Sequence, residues 1–197
     1  MNALLALARS IDAVTSRIGR TFAWLILVAV IISALNAVVR KAFDYSSNAY
    51  LEVQWYLFSA VFLVCSAWTL QLNEHIRIDV VYGRFSRRTQ ILIDLFGTVF
   101  FLLPMVLLVL YKSIPWFVAA FQSKEISPSA GGLILWPAKL VVPVGFVLLL
   151  LQAYSEIVKR IAFLKGIARD PALKEGEKTA EEELAEEIRR QRGEEAQ

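Results

Sequence analysis

Hydrophobic and polar positions along this chain fall into long blocks instead of the short alternations of a soluble domain. Four mostly apolar runs, roughly 21–39, 50–72, 91–111 and 133–153, are each long enough as helices, at about 1.5 Å per residue, to cross a hydrocarbon core of about 30 Å. A helix satisfies its backbone groups internally, as lipid requires, so the pattern predicts four transmembrane helices. They are organised around Tyr50–Gln90. Its first half carries one formal charge, Glu52, and its second half gathers His75, Arg77, Asp79, Arg84, Arg87 and Arg88 before the third run begins at Ile91.

Ahead of the first run, Leu4, Leu7, Ile11, Val14 and Ile18 recur at spacings of three and four, with Arg9, Asp12, Thr15, Ser16, Arg17 and Arg20 opposite them. This stripe predicts an amphipathic helix over residues 1–20 that lies in the membrane interface and feeds span one. Positive charges interrupt and follow its apolar patch, unlike the layout of a signal peptide. Within span one, Asn36 is strongly polar, and Ser33 and Ala37, four apart, would admit a close helix neighbour. Pro104 predicts a bend in span three, and Gln122–Gly132 reads as a loop. In span four, Pro137 suits a first turn and Lys139 is placed to snorkel to the interface. Residues 164–197 form a charged tail with almost no apolar face, expected to be solvated outside the 21–163 membrane domain.

Composition fixes the class. With 57% hydrophobic residues and a mean hydropathy of +0.53, this is an all-α integral membrane protein. The single cysteine, Cys65, cannot form an internal disulfide and sits among apolar residues as a small hydrophobe. The formal charge of +3 conceals 16 basic against 8 acidic residues in 1–169 and 5 against 10 in 170–197. The basic residues flank the spans, so they suit anionic lipid heads and not nucleic acid. They gather before span one, between spans two and three, and after span four, which by the positive-inside rule predicts cytoplasmic termini and a cytoplasmic hinge.

Reactive constellations are sparse. The sequence offers no paired intramembrane histidines for haem, no cysteine cluster, no phosphate loop and no serine–histidine–acid set, so neither catalysis nor a metal is expected. Charges near a span are costly unless paired or wet. Glu52, in the first turn of span two, suits a helix N-terminus and is expected to pair with Arg40 or Lys41. Asp94 is its counterpart at the other face, with Arg87 or Arg88 as expected partners. His75, beside Glu74, Arg77 and Asp79, is expected to hold the hinge to lipid heads. Trp55, Trp68, Trp116 and Trp136 are expected packing or interface anchors.

Four spans with both ends inside, Glu52 and Trp55 opening span two, and the run Asn73-Glu74-His75-Ile76-Arg77-Ile78-Asp79-Val80 leaving it together resemble the small membrane subunit of tripartite ATP-independent periplasmic (TRAP) transporters, the DctQ-like family. The resemblance covers roughly Ile18–Phe163. It implies a bacterial inner-membrane uptake system in which a periplasmic solute-binding protein captures an organic acid. A large permease subunit would hold the substrate and sodium sites and move as an elevator, while the small subunit packs against its fixed scaffold. On that basis this chain carries no cofactor, sodium coupling belongs to the large subunit, and Glu52, Trp55, His75, Arg77, Asp79 and Asp94 are structural or interface candidates. A self-contained transporter or channel is the alternative, and it needs Glu52, Asp94 and Asn36 on one shared polar path. A redox anchor subunit is a third reading.

Overall fold

The computed structural model describes residues 1–45, 47–74 and 85–168. Among these, four helical rods are long and apolar enough to cross a membrane: α1 (Asn2–Phe43), α2 (Asn48–Gln71), α3 (Arg87–Ser123) and α4 (Trp136–Leu164). Their ends follow local chemistry. Ser47 caps α2 by accepting from the Ala49 N–H at 3.3 Å, and Ser86 caps α3 by accepting from the Thr89 N–H. The chain leaves α1 through Asp44 and α2 through Asn73, both with positive φ, a conformation that short polar side chains tolerate.

The bend expected at Pro104 takes the form of a π-turn over Thr98–Leu102, in which the Leu103 N–H reaches back to the Thr98 carbonyl. A proline lacks the N–H for the ordinary bond and crowds the carbonyl four residues back. The wider turn absorbs one extra residue ahead of the ring, and the rod continues to Ser123. Span four begins later and ends later than its apolar run. Leu133–Leu135 belong to the preceding loop, while the helix runs on to Leu164 because the charges after Ala153 find partners inside the bundle.

α4 packs against all three other rods; α1 and α2 also pack against each other, and α3 rests on α4. Small residues make the closest approaches, as packing between membrane helices favours. Ala8, Ala29, Ala60, Ala67, Ala153 and Ala162 are all buried. Gly19 lies so near Trp68 that a Cβ would stand 2.7 Å from its ring base. Val106, Leu110 and Leu149 form the core between α3 and α4. The outer surface is apolar, with Trp24, Phe62, Phe101 and Tyr111 largely exposed.

Residues 1–20 depart most from expectation. They do not form a separate element: α1 is one helix of 42 residues, about 63 Å long. Its apolar stripe faces away from the bundle, apart from the half-buried Ile11 and Ile18. Leu4, Leu7 and Val14 point outward, while Ala8 and Thr15 are buried and the intervening Asp12 bonds into the bundle. Of the polar side, Asp12, Thr15 and Ser16 face the bundle, where α4 and α2 supply partners for Asp12 and Ser16, while Arg9, Arg17 and Arg20 stay exposed; the apolar side gains nothing from burial that lipid does not already provide.

Candidate functional site

Polar side chains in this bundle are concentrated in two ties at opposite ends. At one end the loop between α3 and α4 is folded onto α2. Ile126 and Ile134 form an antiparallel bridge, closed by the Ser127 N–H to the Leu133 carbonyl and the Leu135 N–H to the Glu125 carbonyl, each 2.9 Å. Glu52 of α2, only 6% exposed, holds this hairpin-like loop. One of its carboxylate oxygens accepts from the Ser127 hydroxyl, and the other accepts from the Leu133 N–H at 2.7 Å. Asn48 donates to the Ala130 carbonyl at 3.2 Å. Lys139 of α4 pins the loop's other side, 2.5 Å from Glu125 and 4.6 Å above the Trp116 ring.

The second tie lies where α1 begins, α2 ends, α3 begins and α4 ends. Gln152, Ser155 and Glu156 of α4 are fully buried, and Arg160 nearly so. Asp12 of α1 is the hub. Its Oδ1 accepts from Gln152 Nε2 and Ser155 Oγ, both at 2.8 Å, and its Oδ2 accepts from Lys159 Nζ at 3.0 Å. Lys159 also pairs with Glu156. Arg160 stands 3.2 Å from Glu156 and 3.6 Å from Asp94 of α3, and donates to the Asn73 side-chain oxygen just past α2, at 3.2 Å. Gln71 of α2 accepts from Ser16 at 2.9 Å and donates to the Asp12 carbonyl at 3.2 Å. Side chains from all four rods thus meet in one layer. Buried charges are retained when each has partners, and Asp12 and Lys159 each have more than one.

These contacts correct two sequence expectations. Glu52 is held by two neutral donors of the α3–α4 loop, not by Arg40 or Lys41, because the loop folds back over the first turn of α2. For Asp94 the structure supplies Arg160, brought alongside by α4, in place of the sequence-near Arg87 or Arg88. Glu52 and Asp94, which the self-contained-transporter alternative would set on one polar path with Asn36, are tied to different groups at opposite ends of the bundle. Glu52 is in the first turn of α2, whereas Asp94 joins the layer that also takes in Asn73 beyond the last turn; about 20 helical residues, or about 30 Å, separate the two levels. Trp55 points outward and is 67% exposed. Trp68 packs on Gly19, and Trp136 meets Phe121 edge-on at 5.5 Å. His75, Arg77 and Asp79 lie outside the described residues.

The four-helix polar layer was not anticipated, although the sequence carried a signal for it. Gln152, Ser155, Glu156, Lys159 and Arg160 recur at helical spacing at the end of an apolar run, and such a stripe turns inward when lipid surrounds the helix.

A family model described as "Tripartite ATP-independent periplasmic transporters, DctQ component" matches residues 29–163, more than half of the chain. No curated protein matches it.

Proposed function

Because the chain belongs to the DctQ-component family of the tripartite ATP-independent periplasmic transporters, a family of transporter components and not of enzymes, we propose that this multi-pass membrane subunit acts as a static scaffold. Its role is to hold a large permease subunit in position during sodium-coupled uptake of an organic acid delivered by a periplasmic solute-binding protein. The substrate and sodium sites belong to the large subunit. Both termini and the polar layer face the cytoplasm, and the α3–α4 loop faces the periplasm.

One observation carries this reading: the buried charged side chains within the rods are paired with one another or with the α3–α4 loop, although Asn36 Oδ1 and Gln54 Nε2 are buried without a hydrogen-bond partner. The Glu52 tie locks the loop to α2, and the Asp12–Glu156–Arg160 layer locks all four helices at the other end. A moving carrier needs polar groups that exchange partners with its cargo. A scaffold needs a rigid interior and an apolar exterior, and this bundle has a cross-linked interior under an exposed surface of Trp, Phe, Leu and Ile.

The test is reconstitution. In proteoliposomes the two membrane subunits together with the binding protein should take up substrate when a sodium gradient is applied, and omitting either membrane subunit should abolish uptake. The present chain alone should give no flux. Transport by this chain alone would refute the scaffold reading.

A further inference from the structure

Lys112 follows directly on the third apolar run, 91–111, yet the helix does not stop there. Because α3 continues to Ser123, the lysine lies within the rod, and the register of α3 against its neighbours fixes the depth. Asp94 faces Arg160, Lys139 lies over Trp116 and Phe121 meets Trp136. These antiparallel pairs put Lys112 level with about Pro143 of α4, close to Gly145, which packs on Leu63 of α2. On α2, Glu52 and Gln71, tied into the two polar clusters, are 19 residues or about 28 Å apart, one hydrocarbon core. The level of Lys112 falls midway between them, about 14 Å from either edge.

The lysine also faces outward. Val106, Leu110, Ser113 and Ala120 form the buried side of α3, whereas Lys112 is exposed, as are Leu108 and Tyr111 beside it. Charges inside a membrane ordinarily face a bundle interior or a water-filled cavity and have partners there. Among the described residues no carboxylate pairs with Lys112. Its Nζ lies 5.4 Å from the Tyr111 ring centroid, a contact that leaves the ammonium donors unfilled. A four-carbon stem reaches about 6 Å, less than half the way to either edge, so snorkelling leaves the ammonium in hydrocarbon. The chain has no acid to offer at this depth. Asp12, Glu52, Asp94, Glu125 and Glu156 belong to the two ties, and Asp44, Glu74, Asp79 and the acids of 170–197 all lie beyond helix ends. A second copy is excluded as the source on the same ground.

We propose that Lys112 forms a mid-membrane ion pair with an Asp or Glu side chain on a transmembrane helix of a different protein chain, seated on the α3 face at Leu108 and Lys112. The scaffold reading names a neighbour but no contact with it. The ion pair goes beyond that reading and stands on the depth and outward direction of the lysine, whichever chain carries the acid. The test places the photo-crosslinking residue benzoyl-phenylalanine at Leu108, one turn from the lysine, in the full complex in native membranes, and adducts are mapped by mass spectrometry.

The expected adduct joins Leu108 to a transmembrane segment of another chain that carries an Asp or Glu within one turn of the joined residue. Lys112→Glu should abolish that adduct, and exchanging the partner's acid for lysine in the same background should restore it. Lys112→Met keeps the stem and removes the charge. In the isolated chain it should leave the thermal midpoint unchanged or raised, and in the complex it should remove most of the adduct. Adducts only to lipid or to a second copy, or to a segment without an acid, would overturn the proposal. Full adduct yield from Lys112→Met, no rescue by the charge exchange, or a lowered midpoint of the isolated Lys112→Met chain would overturn it as well.

Discussion

Asp12→Ala is the most telling perturbation of the bundle itself, because Asp12 is the one α1 side chain that bonds to α4 in the polar layer. The substitution removes three hydrogen bonds to a carboxylate, from Gln152, Ser155 and Lys159. Bonds to charged groups are worth about 1.5–3 kcal/mol each in water-soluble proteins, whereas polar pairs between membrane helices average about 0.6 kcal/mol. The lower figure applies better here, because no donor is orphaned: Gln152 keeps Glu156, Ser155 keeps the Ala8 carbonyl, and Lys159 keeps Glu156. Three bonds then sum to about 2 kcal/mol, with about 4 kcal/mol as the upper end if the lost charge leaves Lys159 undercompensated. Asp12→Asn retains an acceptor for Gln152 and Ser155 but loses the Lys159 ion pair, so it should cost roughly half as much. The assay is reversible unfolding in mixed micelles, followed by circular dichroism, together with amide exchange along Ala8–Ser16. A loss below about 0.5 kcal/mol for Asp12→Ala, with exchange there unchanged, would show that the layer does not bind α1 to α4.

Three further outcomes follow from close contacts. Glu52→Ala leaves the Leu133 N–H and the Ser127 hydroxyl without their acceptor, at a cost of about 1–3 kcal/mol, so exchange at Leu133 should quicken by roughly tenfold or more, while Glu52→Gln should restore much of the protection. Gly19→Ala drives a methyl to 2.7 Å from Trp68, and overpacking of this kind costs about 1–3 kcal/mol, read as a lowered thermal midpoint. Gly97→Ala is the counterpart within α3: nothing lies within 4 Å of the added methyl, so the same assay should show stabilisation of about 0.5–1 kcal/mol from the stiffer helix.

Much of the architecture was legible one residue at a time. Four runs of the right length gave four spans, since lipid leaves a helix as the only way for a lone segment to satisfy its backbone. Second-span bounds of 50–72 against Asn48–Gln71 reflect a serine cap and a polar exit that any reader of the chain can find. The motif leaving that span pointed to the family that matches residues 29–163.

The tertiary structure alone decided which way the polar residues face. The stripe through Leu4, Leu7 and Val14 reads as the membrane-facing side of an interfacial helix and does face outward, but it leaves open which of the opposite polar residues enter the bundle. In lipid the surroundings are as apolar as the core, the hydrophobic effect no longer distinguishes inside from outside, and hydrogen bonding decides instead. Asp12 therefore turned toward Gln152, Ser155 and Lys159, some 140 residues away in sequence. Glu52 bonded to a loop 75 and 81 residues downstream. The hydropathy pattern determined that these helices span a membrane; only their packing in three dimensions determined which side chains tie them together.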